Sequence, residues 1–182
     1  MRKCGLALTA ALLALAGCNG GNETVSTPPP KAPATITLLS PAFKAGGELP
    51  RQYTCDGPGV TPALTWFSVP RKAKELVLLI EDPDAPGGTF LHWSVWGIPG
   101  NASGLQQGVP TGGLQQGTNG FGNVGYGPPC PPKGGAAHRY VFTLYALSQP
   151  LAAGNGASGD EVQKAIGDVA IAKGVLTAKY GR

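Results

Sequence analysis

The stretch Glu75-Leu76-Val77-Leu78-Leu79-Ile80 is a nearly continuous apolar run, and Asp82-Pro83-Asp84-Ala85-Pro86 follows it closely. A short apolar run without polar alternation predicts a central β-strand that is covered on both faces. Proline has no N–H to donate to a neighbouring strand, so the strand must stop at the acidic loop. The sequence therefore predicts a buried strand with polar side chains at its end.

Further segments predict strands around this central one. Residues 35–39, 63–66, 92–98 and 140–147 alternate in polarity or are rich in aromatic and β-branched residues. Residues 175–180 return as a final short strand or form a tail.

One helix has a complete signal. Ser158 and Glu161 can form a capping box. The apolar positions that follow fall on one helical face: Val162, Ala165, Ile166 and Val169. Strands with one late helix predict a mainly β fold, a β-sandwich or related all-β domain with a few peripheral helices.

The first residues predict export and a lipid anchor. Arg2 and Lys3 precede an apolar run of 11 residues, which is too short to span a bilayer but fits a signal peptide. The run ends in Leu15-Ala16-Gly17-Cys18, which resembles the bacterial lipobox, whose cysteine is acylated, with palmitate for example. Cleavage of an ordinary signal peptide near Ala16 is the alternative. We expect a signal peptide at 1–17 and attachment to the membrane through Cys18.

Two further expectations follow from the N-terminal region. Asn19 stands where an Asp would indicate retention at the inner membrane, which favours a bacterial cell envelope location at the outer membrane, facing the periplasm. Residues 18–33 combine the acylated cysteine with Gly- and Pro-rich sequence, and we expect them to form an extended tether. Residues 34–182 then have the length of one domain.

The charge balance excludes one class of partner. Without Arg2 and Lys3, 12 of the 14 basic side chains remain against 10 acidic ones, and no basic run is present. This near-balance argues against nucleic-acid binding.

Both histidines lie in segments that join a proline-stiffened loop to an apolar strand. His92 follows the acidic loop, and His138 follows Pro131-Pro132. Ordinary explanations exist for each: aspartates that bond nearby backbone in a turn, a structural strand histidine, and an edge strand that meets water at residues 138–140. Their joint occurrence instead favours a rigid pocket for a small polar ligand.

Taken together, these motifs resemble the phosphatidylethanolamine-binding protein family, in particular its bacterial Raf-kinase-inhibitor-like branch. The resemblance rests on residues 82–86, His92-Trp93, Gly125-Tyr126-Gly127, Pro131-Pro132 and His138-Arg139-Tyr140. Residues 53–57 and 62–66 and the closing Tyr180-Gly181-Arg182 match that branch too. The similarity extends over nearly all of residues 35–182.

The resemblance implies a β-sandwich with a small anion pocket for phosphate or a phospholipid headgroup. The residues that it would place at this pocket are Asp82, Pro83, Asp84, Pro86, His92, Gly127, Pro131, Pro132, His138 and Tyr140. Asp82 beside His92 would favour the imidazolium, and both histidines would donate to ligand oxygens. The aspartates would meet an ethanolamine ammonium.

One position departs from the family pattern, and two cysteines remain to be explained. Bacterial relatives commonly carry Asn-Asp-Phe-Gly where this chain has Asn119-Gly120-Phe121-Gly122, so a carboxylate is missing there. Cys55 and Cys130 remain once Cys4 is removed and Cys18 is acylated. In an oxidising compartment such a pair is a candidate disulfide, although sequence alone does not show that the two residues meet.

Three classes of function remain open. The first is a non-catalytic binding module for an anionic small molecule or phospholipid headgroup, which we favour. The second is an inhibitor or regulator of a protein partner such as a protease, with residues 99–130 as its surface. The third is a metal-dependent enzyme that uses both histidines and an aspartate. No local metal-binding spacing, nucleophile elbow or phosphate-binding loop is present, so we expect no enzyme, no metal and no cofactor.

Overall fold

The computed structural model describes residues 24–108, 112–167 and 169–182. These ranges form mostly strands, with one α-helix and a short 3-10 helix at Arg51–Tyr53. In chain order the elements are β1 (Thr24–Val25), β2 (Thr37–Leu39), β3 (Leu64–Phe67), β4 (Glu75–Asp82), β5 (Thr89–Pro99), β6 (Gly104–Leu105), β7 (Gln115–Gln116), β8 (His138–Leu147), α1 (Gly159–Gly167) and β9 (Ala170–Tyr180).

The larger sheet is organised around β4. This strand pairs antiparallel with β5 on one side and with β8 on the other, and the order across the sheet is β1-β5-β4-β8-β9. β7 pairs with β5 as well. A second sheet has the order β2-β3-β6. The described chain is thus a β-sandwich of two sheets, which confirms the predicted fold class.

Two apolar layers cover the two faces of β4. Leu76, Leu78 and Ile80 pack in the core between the sheets, together with Trp66 of β3. Val77 and Leu79 point to the opposite face, where they pack with residues of α1. Side chains alternate across a strand, so a strand that is buried on both faces must be apolar at nearly every position. The prediction of a central strand covered on both faces is confirmed.

The helix begins as predicted. The Glu161 carboxylate accepts hydrogen bonds from the backbone N–H and the hydroxyl of Ser158, both at 2.8 Å, which is the capping box. Val162 and Ile166 are buried against the large sheet, and Ala165 and Val169 pack at the edge of the same cluster. Helix α1 therefore closes the outer face of the sheet.

Two strand predictions need correction. β5 begins at Thr89, so His92 lies inside the strand and does not open it. β9 is a full strand of 11 residues that pairs with β8 from Tyr180 back to Ala170. Its alternation was obscured because small residues, with little hydrophobic signal, occupy several of its buried positions, such as Ala172 and Ala178.

The predicted tether is wrong for residues 24–33, because this segment is part of the fold. Thr24 and Val25 pair with β5, and Asp160 accepts hydrogen bonds from the backbone of Ser26 and Thr27. Pro30 is buried, and its carbonyl accepts a hydrogen bond from Tyr145. The domain therefore begins at least ten residues before residue 34. The Pro-rich, polar composition of this segment carried no information about the surface on which it lies.

The predictions for the first residues lie outside the described part of the chain. They are the signal peptide at 1–17, the lipid anchor on Cys18 and the start of the tether. In the described ranges, no helix has the length and apolar character needed to cross a bilayer.

A buried carboxyl lies beneath α1. Glu81 is the residue before the end of β4, and its Oε1 accepts a hydrogen bond of 2.6 Å from the buried Gln163. Burial raises the pKa of Glu81 to about 7. No described group donates to Oε1 of Gln163. A protonated or amide side chain at position 81 can donate as well as accept, so it fits this site better than a carboxylate.

We predict that Glu81→Gln removes a pH-dependent loss of stability. The folded pKa of about 7 exceeds the unfolded value of 4.5, so the stabilisation is complete below pH 4.5 and disappears as the pH rises through 7. The shift corresponds to about 3 kcal/mol. Urea unfolding at pH 5 and pH 8 measures it. The free energy of unfolding of the variant should exceed that of the wild type at pH 8 and not at pH 5, and an equal difference at both values would contradict the prediction.

Candidate functional site

Strand directions bring the predicted polar residues to one end of the sandwich. β4 ends at Asp82, while its antiparallel neighbours β5 and β8 begin nearby, with His92 and His138 close to their starts. A cavity of about 210 Å³ opens at this end. It is lined by Asp82, Ala85, Pro86, Phe90, His92, Phe121, Cys130, Pro131, Pro132 and His138. Its volume is below that of a pocket for a drug-sized molecule and suits a small headgroup.

Asp82 orients His138. The Oδ2 atom of Asp82 lies 2.7 Å from Nδ1 of His138, and a carboxylate oxygen can only accept, so Nδ1 carries a proton. The other oxygen, Oδ1, accepts the backbone N–H of Asp84 at 2.9 Å. The Asp82 side chain is only 4% exposed. Both of its oxygens thus have donors within the protein, which reduces its repulsion of an anion.

His92 occupies a β-bulge. Ile80 pairs with Trp93 and Glu81 pairs with Leu91, so His92 has no partner on β4. Such a bulge redirects a side chain and is common beside functional sites. Here His92 bonds twice with Gly127: its Nδ1 lies 2.8 Å from the carbonyl oxygen, and its own carbonyl accepts the Gly127 N–H at 2.8 Å. Nδ1 therefore carries the proton in this ring too.

The charge state expected for His92 is corrected by the structure. Burial of the ring lowers the pKa of His92, and this effect exceeds the opposing effects of the Gly127 carbonyl and the Asp82 charge. Asp82 makes its direct contact with His138, not with His92. The cavity therefore presents a neutral His92 near neutral pH. Among the described residues, Nε2 of neither histidine has a hydrogen-bond partner.

Asp84 does not line the cavity. Its carboxylate is held by Arg139, whose Nε and Nη2 donate at 2.9 and 2.7 Å and whose backbone N–H donates at 2.8 Å. These bonds lower the pKa of Asp84 to about 2. The structure thus places Asp84 outside the cavity lining, where it fixes the acidic loop on β8.

Aromatic rings surround His92. The ring centroids of Phe90 and Phe121 lie 4.9 and 5.9 Å from that of His92, and Tyr140 lies 5.3 Å away. Tyr140 is fully buried behind the imidazole, and no described group bonds to its hydroxyl. Burial raises the pKa of Tyr140 well above its usual range, so the phenol stays protonated.

A disulfide holds the far wall of the cavity. Cys55 and Cys130 are bonded, with their Cα atoms 5.3 Å apart, which confirms the candidate pair. The backbone N–H of Cys55 also donates to the Pro129 carbonyl at 3.0 Å. The C-terminal residue adds a second attachment, because the Arg182 carbonyl accepts the N–H of Gly134 at 2.8 Å and its guanidinium contacts Cys130. The wall residues Pro131 and Pro132 are therefore fixed on both sides.

The sequence-predicted residues divide into two groups. Six line the cavity: Asp82, Pro86, His92, Pro131, Pro132 and His138. Four lie outside its lining and support it: Pro83 in the turn, Asp84 on Arg139, Gly127 on His92 and Tyr140 behind His92.

Four lining residues were missed: Ala85, Phe90, Phe121 and Cys130. Phe90 lies two positions before His92, so strand alternation could have identified it. The position of the Cys130 loop depends on a contact distant in sequence.

Gly120, at the departure from the family pattern, lies against Phe90. A Cβ atom at position 120 would lie 2.6 Å from the Phe90 ring. Gly120 also donates its N–H to the Leu91 carbonyl at 2.8 Å, which brings the loop against β5. A side chain at this position and Phe90 in its present place are therefore incompatible. The absence of a carboxylate at position 120 and the position of Phe90 in the cavity wall therefore depend on each other.

Within the described ranges, no group of three His, Cys, Asp or Glu side chains converges as a metal site. Asp82 and the two histidines lie together, but Nδ1 of each ring is already bonded to a protein oxygen.

Comparison with known proteins agrees with this geometry. The sequence model of the phosphatidylethanolamine-binding protein family matches residues 39–181. A UPF0098 protein of Aquifex aeolicus is 42% identical over 154 residues, which cover 82% of this chain and 90% of the relative. A Mycobacterium tuberculosis protein named "Putative lipoprotein LppC" is 41% identical over 191 residues and covers 97% of this chain and 92% of its own length.

Two solved structures share the fold. YbcL from Escherichia coli, described as a member of the mammalian family, has a TM-score of 0.76 and 32% identity, covering 82% of this chain and 99% of its own. A phosphatidylethanolamine-binding protein homolog from Chlamydia trachomatis has a TM-score of 0.75 and 37% identity, covering 81% and 98%.

We predict that Gly120→Ala destabilises the domain by about 1–3 kcal/mol, because the new methyl group overlaps the buried Phe90 ring. Chemical denaturation measures the change. Gly154→Ala is the matched control, since a Cβ atom there meets nothing within 4 Å. Equal stability of both variants would show that Phe90 moves aside freely.

Proposed function

The chain belongs to the phosphatidylethanolamine-binding protein family, and on that premise we propose that it is a non-catalytic envelope protein that binds phosphate-bearing headgroups. The observation that carries this proposal is the pair of imidazoles on one small cavity. Each Nδ1 is fixed by a protein acceptor, and each Nε2 remains for a ligand. Two such nitrogens suit a ligand with several oxygens.

The protonation state of the ring and of the ligand determines how each imidazole can bind an anion. With Nδ1 protonated, Nε2 of a neutral ring can only accept, so it binds a phosphate oxygen that carries a proton. Once the ring is protonated, Nε2 donates a charge-assisted hydrogen bond to an ionised oxygen. In either case the complex holds a proton between His92 or His138 and the ligand. Anion binding is therefore coupled to proton uptake from ligand or solvent.

The apolar half of the cavity favours an organic headgroup over a bare ion. Phe90, Phe121 and three prolines give much of the lining an apolar, partly aromatic character. An ammonium group is attracted to an aromatic face, which allows phosphoethanolamine to contact these rings while its phosphate meets the histidines. We infer that the aromatic rings take the place that sequence reasoning gave to Asp84.

The absence of catalysis and the location are part of the same proposal. Asp82 positions His138, but no serine, cysteine or threonine nucleophile lines the cavity among the described residues, since the sulfur of Cys130 is held in the disulfide. The lipobox at residues 15–18 and the likeness to a lipoprotein-named relative support acylation of Cys18. The chain then lies in the bacterial envelope, and we assign it to the outer membrane, facing the periplasm. Inhibition of a protein partner stays a prediction from sequence alone.

We predict saturable binding of phosphoethanolamine, tighter than that of inorganic phosphate, by the chain that carries Cys18→Ala and is not acylated. His92→Gln and His138→Gln should each raise Kd about tenfold to a hundredfold, the value of a hydrogen bond to a charged group. Isothermal titration calorimetry measures this. Glu81→Gln is the matched control, because it lies next to Asp82 but faces α1. No binding of either ligand by the folded chain would contradict the proposal.

The same titrations with sulfate, which stays a dianion between pH 5.5 and pH 8, show whether the proton in the complex comes from the ligand or from the solvent. Sulfate cannot supply one, so its affinity should fall between pH 5.5 and pH 8 by up to about tenfold per pH unit for each proton taken up. Because burial lowers the pKa of His92, the part of the fall in sulfate affinity that comes from His92 should occur at the acidic end of this pH range. A flat profile would show that the histidines do not donate to the anion.

We also predict that mass spectrometry of the chain purified from membranes finds acylated Cys18 as the first residue. Cys18→Ser should yield an unacylated chain that no longer fractionates with membranes, because a multiply acylated cysteine is the attachment. An unmodified wild-type chain that starts near residue 17 would indicate the ordinary signal peptide instead.

A further inference from the structure

Residues 24–36 form a strap that crosses the helix-bearing face of the large sheet. The strap starts as β1 on the edge of β5 and is held by Asp160 at the start of α1. It then passes Tyr145 of β8 through Pro30. At its other end, Lys173 of β9 donates its N–H to Pro33 and accepts that of Ile36. The family model starts only at residue 39, so the strap lies outside the matched region.

The strap is attached beside the anion cavity. In β1, Thr24 pairs directly with Phe90, a residue that lines the cavity. Antiparallel partners have Cα atoms about 5 Å apart. The Thr24 side chain also packs beside Gly88, two positions before Phe90. The start of the described chain and one wall of the cavity are therefore fixed to each other.

Covalent geometry then limits how far the cavity can be from the lipid anchor. Six peptide steps join Cys18 to Thr24, which span at most about 22 Å. Adding the strand spacing, the Cα atom of Cys18 lies within about 27 Å of that of Phe90. A domain of this length is about 40 Å across. Pro99 lies at the opposite end of β5, about 30 Å from Phe90 along the strand. Phe67 lines a surface pocket together with Gly100 and Ala102, so it lies near that same end.

The cavity end also exposes apolar side chains. Phe121, which lines the cavity, is 44% exposed, and Val124 of the same loop is 52% exposed. This loop is held rigidly, since Gly117, Gly120 and Gly127 each donate an N–H to a carbonyl of β5. An exposed aromatic side chain at the mouth of a headgroup cavity, with an exposed aliphatic one three positions further along the same loop, fits the boundary between headgroups and acyl chains.

From these observations we propose that the strap turns the cavity toward the bilayer that holds Cys18. The loop with Phe121 and Val124 lies at the lipid surface, and the ligand is a phospholipid headgroup of that same membrane. The inference rests on the proposed anchor at Cys18 and extends the proposed headgroup binding by naming the source of the ligand. A free phosphate compound reaches the cavity only when this loop leaves the bilayer.

Tryptophan quenching by brominated lipids tests this orientation. The native residues Trp66, Trp93 and Trp96 are at most 2% exposed, so a new surface tryptophan reports its own contacts. The acylated chain with Phe121→Trp is reconstituted into vesicles of phosphatidylethanolamine and phosphatidylcholine, with and without bromine on the acyl chains. Phe67→Trp is the matched control, because Phe67 is an exposed phenylalanine at the far end.

We expect the loss of emission in brominated vesicles to be several times larger for Phe121→Trp than for Phe67→Trp. Insertion of 30 Gly and Ser residues between Asn22 and Glu23, which adds about 30 Å of average reach, should remove most of that difference. Asp160→Ala, which releases Ser26 and Thr27, should reduce it partly. Equal quenching of the two variants, or quenching of the Phe67→Trp chain alone, overturns the proposal.

Two further measurements separate this inference from the proposed function. Titration of the acylated chain with Phe121 intact, in detergent, with inorganic phosphate reports the cavity without the bilayer and without a change in its lining. Phosphate binding with no preferential quenching refutes the orientation and keeps the headgroup cavity. Preferential quenching without phosphate binding keeps the orientation and refutes the cavity. An unacylated Cys18 overturns the orientation while it leaves phosphate binding in place.

Discussion

The burial of β4 on both faces is the constraint on which the rest of the structure depends. A strand with neighbours on both sides and apolar layers above and below has only its ends for polar side chains. Its last two residues, Glu81 and Asp82, are both acidic and both buried, and they face opposite ways. Glu81 is accommodated by a raised pKa and by Gln163. The Asp82 carboxylate contacts His138 and accepts a backbone N–H. Glu81 therefore has a structural role beneath α1, whereas Asp82 belongs to the candidate site.

The two histidines of the candidate site differ in their burial and in their hydrogen-bond partners. His138 lies against a carboxylate, whereas His92 lies among aromatic rings and bonds to a backbone carbonyl. Burial among the aromatic rings disfavours the charged form of His92. Its Nδ1 bonds to the Gly127 carbonyl, so Nε2 remains for a ligand. A fixed tautomer in both rings means that the ligand or the solvent must supply the proton that completes an anion complex. For the proposed anion ligand, the cavity would therefore select for protonation state as well as for shape.

Much of the fold was predictable because its signals are local. The continuous run of β4, the proline that ends it and the capping box of α1 each depend on residues that are close in sequence. What could not be predicted depends on pairings across the sheet. The bulge that places His92 arises from the register between β4 and β5, and no local pattern encodes a register shift. Likewise Asp84 carries a side chain that could bind a ligand, but it is engaged by Arg139, which lies 55 residues away in sequence. A local pattern cannot reveal that pairing.

The cavity is built where distant parts of the chain are attached to each other. The disulfide joins residues 75 positions apart, the C-terminal Arg182 holds the loop at Gly134, and the strap pairs with β5 at Phe90. The first two attachments restrict the loop that carries Pro131 and Pro132, and restricted loops lose less entropy when a ligand binds. The third adds a strand beside the Phe90 wall. The strap differs from the other two in one respect, since it also leads toward Cys18. If Cys18 carries the proposed anchor, the contact that fixes the Phe90 wall is also the contact that places this end of the domain nearest to it.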